Sequence, residues 1–287
     1  MYYQEIETIY RENLEERYMA GIHLPEMLKD VTHSLMNGQH VVIVTGFVVK
    51  DAMAGETDGP PGALALARTL ELIGKRVTIV SDTINEVLLE QGIKLLGLSA
   101  DLVTVTDDTI ERACEALIAQ QPSHVIAIER PSRASDGQCY SMRGEPITDF
   151  VPNTDIIFEQ ARKNDIVTIG IGDGGNEVGM GTIKNYVHAN VPKGALICAI
   201  SEVDYLLVGG VSNWVAYGLC ATLSIEEKKQ LLHTTHMEEL MIETLVKVGA
   251  VDGIEKVPVM KIDGLEMAVN LRVLSAIRSV VTKHINH

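Results

Sequence analysis

Aromatic residues are scarce in this chain. Three Phe, one Trp and eight Tyr leave only 4% of the 287 residues aromatic. A core that rings cannot fill must come from Val, Ile, Leu, Ala and Met, and the 46% hydrophobic content supplies them. Branched aliphatic cores suit a parallel sheet buried on both faces. Cysteine is equally thin. Cys114, Cys139, Cys198 and Cys220 are scattered without a C-x-x-C spacing, which excludes a disulfide framework or zinc site and points to thiols in a reducing compartment. Basic charge is the third shortage. With 24 Lys and Arg against 39 Asp and Glu, the net charge of −15 argues against nucleic acid and anionic membranes as partners. An acidic ligand then needs a local positive site. No apolar run is long enough to cross a bilayer, and residues 1–16 are acidic without an apolar signal core, so the expected location is the cytoplasm.

Several motifs are also missing. There is no G-x-x-x-x-G-K, no H-E-x-x-H and no G-x-S-x-G. The nine histidines are scattered, and none is placed by a motif to activate a nucleophile.

What is present alternates. Residues 2–38 carry helical periodicity and predict a pair of helices. Short β-branched runs follow at His40–Thr45, Arg76–Ser81, Asp101–Thr106, His124–Ile128, Asp165–Ile169, Leu196–Ile200 and Tyr205–Val208. Helical stretches separate most of them: Pro60–Ile73, Ile84–Leu96, Thr109–Gln120, Thr154–Lys163 and Asn176–Ala189. From Ser212 the chain reads as helices, the last over Leu265–Ile285. The pattern predicts an α/β fold with a mostly parallel sheet and helices on both faces. No linker or repeat divides the chain. The expectation is one domain over 1–287, with a helical extension at 1–38, a βαβ core at 39–210 and a helical part at 211–287.

Carboxylates follow the strands: Asp58 after the first, Asp82, Asp107 with Asp108, Glu129, Asp173 and Glu202. In an open parallel sheet these ends share one edge, where ligands bind. Asp82, Asp107 and Asp108 read most simply as turn or cap residues. Gly170 to Gly175 satisfies G-x-G-x-x-G after a strand, but Asp173 places a carboxylate where a pyrophosphate would sit. The loop is better read as a set of amides for some other anion, with Asn176 capping the next helix. Residues 129–144 form a long loop carrying Arg130, Arg133 and Arg143, whose guanidinium forks match carboxylates.

Taken together these residues resemble a known family. Thr45-Gly46-Phe47, the Glu56-to-Gly62 turn, Glu129-Arg130-Pro131 with Asp136-Gly137 and Met142-Arg143-Gly144, Gly172-to-Glu177 and Gly210-to-Trp214 are similar, in order, to the D-glutamate cyclase-like C-terminal domain family. The resemblance implies a lyase that converts D-glutamate to 5-oxo-D-proline with loss of water.

Cyclisation needs a base to free the amine and an acid or metal to help hydroxide leave. Asp58, Glu129, Asp136 and Asp173 are the candidates for proton transfer. Asp58, Glu129 and Asp173 are also the candidates to hold a divalent cation of the Mg²⁺ kind. Gly59, Gly62, Arg130, Arg133, Arg143, Gly172, Gly174, Gly175, Asn176, Ser212 and Asn213 are the candidates for substrate binding. The expected partner is a small acidic, D-glutamate-like metabolite, with no nucleic acid or membrane, and a homo-oligomer is compatible. Two alternatives stay open: a non-catalytic metabolite or nucleotide sensor that needs a partner, and a metal- or nucleotide-dependent enzyme acting on another acid.

Overall fold

The computed structural model describes residues 2–286. Among them, six strands form one parallel sheet: β1 (His40–Thr45), β2 (Arg76–Asp82), β3 (Asp101–Val105), β4 (His124–Ile128), β5 (Val167–Gly172) and β6 (Tyr205–Val208), in the order β3-β2-β1-β4-β5-β6. At the centre Val42 of β1 lies opposite Thr78 of β2 and Val125 of β4.

Side chains alternate across a strand, so a sheet covered twice needs apolar residues at both phases. Val41 and Ile43 of β1 join the hydrophobic cluster on one face, and Val42 and Val44 join that on the other. The first cluster packs beneath α1 (Tyr2–Tyr10), α2 (Met27–Asn37), α3 (Pro60–Leu72), α4 (Glu86–Leu96), α9 (Ser212–Glu226), α10 (Thr235–Lys247) and α11 (Met267–Ile285). The second is covered by α5 (Ile110–Ala119), α6 (Asp155–Lys163), α7 (Lys184–Asn190) and α8 (Gly194–Ile197). Ser212 to Ile225 of α9 is buried on every side, as a helix apolar all round must be.

Three expected elements differ. Residues 196–200 form no strand. They end α8 and then run as extended chain bridged at Ala199 to Ala134. Four residues separate Ile200 from β6, too few for the crossover that joins parallel strands. No helix begins at Asn176, because Glu177 folds back onto the glycine loop; a 3₁₀ turn at Met180–Ile183 leads into α7 instead. β5 starts at Val167, after Asp165 turns with φ of 58°. The helical C-terminal part also contains a hairpin, Lys261–Ile262 with Leu265–Glu266.

No helix among the described residues is long and apolar enough to cross a membrane.

Candidate functional site

The winding of the sheet reverses between β1 and β4, the position at which open α/β sheets bind ligands. The Thr45 hydroxyl, at the end of β1, donates to the Ile128 carbonyl at 2.7 Å and holds the two strand ends together. Glu129 follows β4 with φ of 45°, a sparsely allowed conformation for a residue with a side chain. It lies against Gly59, where φ is 95° and an added Cβ would come within 2.7 Å of the Glu129 Cβ. Only glycine fits that turn, which brings the start of α3 onto Glu129.

Asp58 precedes the same turn. Its Oδ2 accepts from the Ser212 amide at 2.9 Å and its Oδ1 from the Asn213 amide at 2.8 Å. The first turn of α9 thus holds a carboxylate, which a helix N-terminus favours. The Ser212 hydroxyl donates to Glu129 Oε2 at 2.6 Å. Asn213 returns the contact: its Oδ1 accepts from the amides of Gly59 and Gly62 at 3.0 and 2.7 Å. Ser212, Asn213, Gly59 and Gly62 therefore build the scaffold, and these two glycine amides are already occupied.

The glycine loop is filled in the same way. The amides of Asp173, Gly174 and Gly175 donate to the Glu177 carboxylate at 3.1, 2.7 and 2.6 Å. The anion in this nest is the protein's own. Gly172 ends β5, and Asn176 donates to the Tyr140 carbonyl at 2.7 Å, tying the arginine loop over the strand end.

Asp58, Glu129 and Asp173 converge. One carboxylate oxygen from each lies within 4.8 Å of the others, and all three residues are buried. Burial pushes each carboxyl well above its ordinary range. Neighbours add to this: Asp263 for Asp58, Asp173 and Glu177 for Glu129, and Asp263 for Asp173. Glu56 is raised likewise, by burial and then by Asp263. Such a set supplies protonated carboxyls near neutral pH. It also offers only oxygen donors, and Asp173 Oδ2 is buried with no partner but the Arg17 guanidinium at 2.8 Å. That donor set fits a hard divalent cation.

One cation stands among these acids. Arg17, in the turns between α1 and α2, places Nη2 at 2.8 Å from Asp173 Oδ2 and in contact with Asp263 of the C-terminal hairpin. Burial works against its charge, but Asp173 and Asp263, then Asp58 and Glu129, more than offset this and hold the guanidinium protonated. No motif marks Arg17 in the sequence. The hairpin carrying Asp263 did leave a signal, the Asp263-Gly264 pair that two-residue turns favour.

Glu56, Glu129, Asp173, Asp263 and Arg17 line the more buried end of a cleft of about 100 Å³. Lys50, Arg143 and Lys256 line its outer part. The other two arginines of the loop, and Asp136, point elsewhere. Arg130 is wholly buried and bonded to Asp82, Gly46 and Thr154. Arg133 donates to the Val151 carbonyl at 3.2 Å and to the Cys139 sulfur. Asp136 is exposed and accepts from the Tyr140 hydroxyl at 2.5 Å. The structure thus brings Glu129, Asp173 and Arg143 to one cleft, sets Asp58 beside the first two without lining it, and leaves Asp136, Arg130 and Arg133 outside it.

The crowding has a measurable cost. A carboxyl raised above its unfolded value of 4.5 opposes folding increasingly as pH rises from that value towards the folded one. Glu129→Gln removes the burden and keeps an acceptor for Ser212. It is expected to raise stability at pH 7 by about 1–3 kcal/mol, with no gain at pH 4. Denaturant melts at the two pH values check this; a loss of stability at pH 7 would contradict it.

Comparison with known proteins now bears on this geometry. The family described as D-glutamate cyclase-like, C-terminal, matches residues 6–278. The human D-glutamate cyclase, mitochondrial, is 33% identical over 302 residues, covering 91% of this chain and 49% of the human protein. The chain therefore spans about half the length of that relative. Among solved structures, NAD⁺ synthetase from Burkholderia pseudomallei aligns with 99% of this chain and 93% of its own, at 8% identity and a TM-score of 0.29. With the family matched over nearly its whole length and a relative of this identity covering nine-tenths of it, the chain belongs to the D-glutamate cyclase-like, C-terminal family.

Proposed function

We propose that this cleft cyclises D-glutamate to 5-oxo-D-proline with loss of water. The amine attacks the γ-carboxyl carbon, the N–C bond closes the ring, and one γ-carboxyl oxygen leaves. Of the three ammonium protons, one stays on the lactam nitrogen and two depart with that oxygen as water. The reaction therefore needs groups that take protons from nitrogen and return them to oxygen.

The observation that carries the reading is the buried trio Asp58, Glu129 and Asp173, raised in pKa by burial and by neighbouring acids. Carboxyls tuned in this way serve as base and acid in turn. The α-carboxylate stays outside the new ring and needs a cation of its own. Arg143 and Lys50 line the outer cleft, and neither has a carboxylate partner within 4 Å among the described residues. In a chain of net charge −15, such cations are where a substrate carboxylate would settle. A divalent cation bound by the trio would neutralise the acids and polarise the γ-carboxyl. Four free, buried thiols fit a reducing compartment, and we assign the cytoplasm.

The test is the purified chain alone with D-glutamate, following 5-oxo-D-proline by chiral chromatography, before and after exhaustive chelation. Turnover is expected, with loss of both activity and thermal stability on chelation and recovery with Mg²⁺ or Mn²⁺. Unchanged activity and melting after chelation would remove the cation. Absence of turnover with retained binding of 5-oxoproline would favour the sensor reading.

A further inference from the structure

Arg17 does more than balance charge. The residues on either side of it, Leu14 and Met19, are buried in the hydrophobic cluster on one face of the sheet, which pins the turn that carries it. Its Nε donates to the Gly210 carbonyl at 3.2 Å, just ahead of α9. Its Nη2 is held in ion-pair contact by Asp173 and Asp263, without a well-aligned hydrogen bond to either. Two of the three guanidinium nitrogens are thereby fixed to separate segments of the chain. The third, Nη1, has no hydrogen-bond partner among the described residues, and the side chain lines the cleft. Nη1 is not fully buried, and it belongs to a side chain that lines the cleft.

A planar fork held at two corners has little freedom left to lose when a ligand meets the third. We propose that Arg17 is a catalytic residue that binds the γ-carboxylate of glutamate through Nη1 and stabilises the charge that gathers there as the ring closes. This rests on the cyclase reading above. When the amine nitrogen bonds to the γ-carbon, the electron pair of the C=O bond moves onto the oxygen facing Nη1. That oxygen keeps the charge until the other oxygen leaves as water with the two ammonium protons, and the C=O bond then re-forms. Donors fixed in advance at the place where charge develops are an effective form of transition-state stabilisation. The arrangement divides the substrate by position: the γ-carboxyl lies at the inner end beside Arg17 and the acids, and the α-carboxylate lies at the outer cations.

Glutarate, the same five-carbon diacid without the amine, isolates this contact from turnover. Calorimetry of glutarate with the full chain is expected to show weaker binding by Arg17→Gln, by about 10- to 100-fold for a lost charge-assisted hydrogen bond. Arg17→Lys keeps the charge against Asp173 and Asp263, and so protects the fold, but lacks the fork. It is expected to lose most of the same affinity, and it carries the test if the glutamine variant does not fold. In turnover of D-glutamate the lysine variant should lose kcat as well as raise KM, and methylguanidinium should restore part of the kcat of Arg17→Ala. Glutarate affinity within a factor of two of wild type in both Arg17→Gln and Arg17→Lys overturns the inference, as does wild-type protein that binds no glutarate. A wild-type chain that leaves D-glutamate unconverted overturns the cyclase reading instead. Loss of glutarate binding in the variants would then still support the contact.

Discussion

Asp173→Asn is expected to lower kcat for D-glutamate by about 10²- to 10⁴-fold, the range for removal of a general acid or base. The substitution changes little else. Asparagine matches the aspartate in size, and the loop keeps its shape because the Asp173 amide, not its side chain, bonds Glu177. Arg17 loses one carboxylate partner and keeps Asp263. The buried carboxyl that desolvation penalises is gone, so stability should hold or rise. Steady-state kinetics alongside calorimetric binding of 5-oxoproline separates the possibilities. A fall in kcat with near-normal binding places Asp173 in the chemistry, whereas full turnover would take it out.

Arg130→Met is expected to act on the fold, at a cost of about 3–5 kcal/mol, as when one partner of a buried ion pair is removed. The guanidinium has no exposure, and each of its nitrogens is used. Nε donates to the Thr154 hydroxyl at 3.0 Å, Nη1 to the Gly46 carbonyl at 3.0 Å and to Asp82, and Nη2 to the Pro152 carbonyl at 3.4 Å. One side chain thus joins the ends of β1 and β2 to the loop ahead of α6. Asp82, itself 2% exposed, would remain as a buried carboxylate with only the amides of Ile84 and Asn85 and the Asn85 side chain. Denaturant unfolding of Arg130→Met, Asp82→Asn and the double variant measures the coupling. A loss below 1 kcal/mol in Arg130→Met would show that the pair is not needed.

Arg130 also shows where sequence reading stops. Arg130, Arg133 and Arg143 share one loop, and nothing in their spacing tells which points inward. Burial decides: Arg130 sinks beneath the strand ends, while Arg143 stays on the cleft wall. The sheet was far easier to read. Runs such as His40–Thr45 and His124–Ile128 are too short and too β-branched for helix, and the Gly59-Pro60-Pro61 start of α3 allows little else. Leu196–Ile200 had the same composition and failed for lack of room for a crossover, which is a property of topology. The trio Asp58, Glu129 and Asp173 could be proposed because parallel strands send their carboxyl ends to one edge. Arg17 could not, since it lies in an irregular segment before the first strand, and only the closed chain brings it to Asp173. The loop amides read as a site for an outside anion, and nothing in the sequence tells that Glu177 folds back to occupy them.

The contact between Arg17 and Asp263 joins positions 246 residues apart. The acids between them come from three further segments, at 56–58, 129 and 173. Contacts of such long sequence separation close late, after most of the chain-ordering entropy has been spent. A refolding chain with its sheet paired and its helices formed would look native by circular dichroism while its two ends were still undocked. Recovery of turnover should therefore lag behind recovery of secondary structure, and activity would time the last docking step rather than the folding of the core.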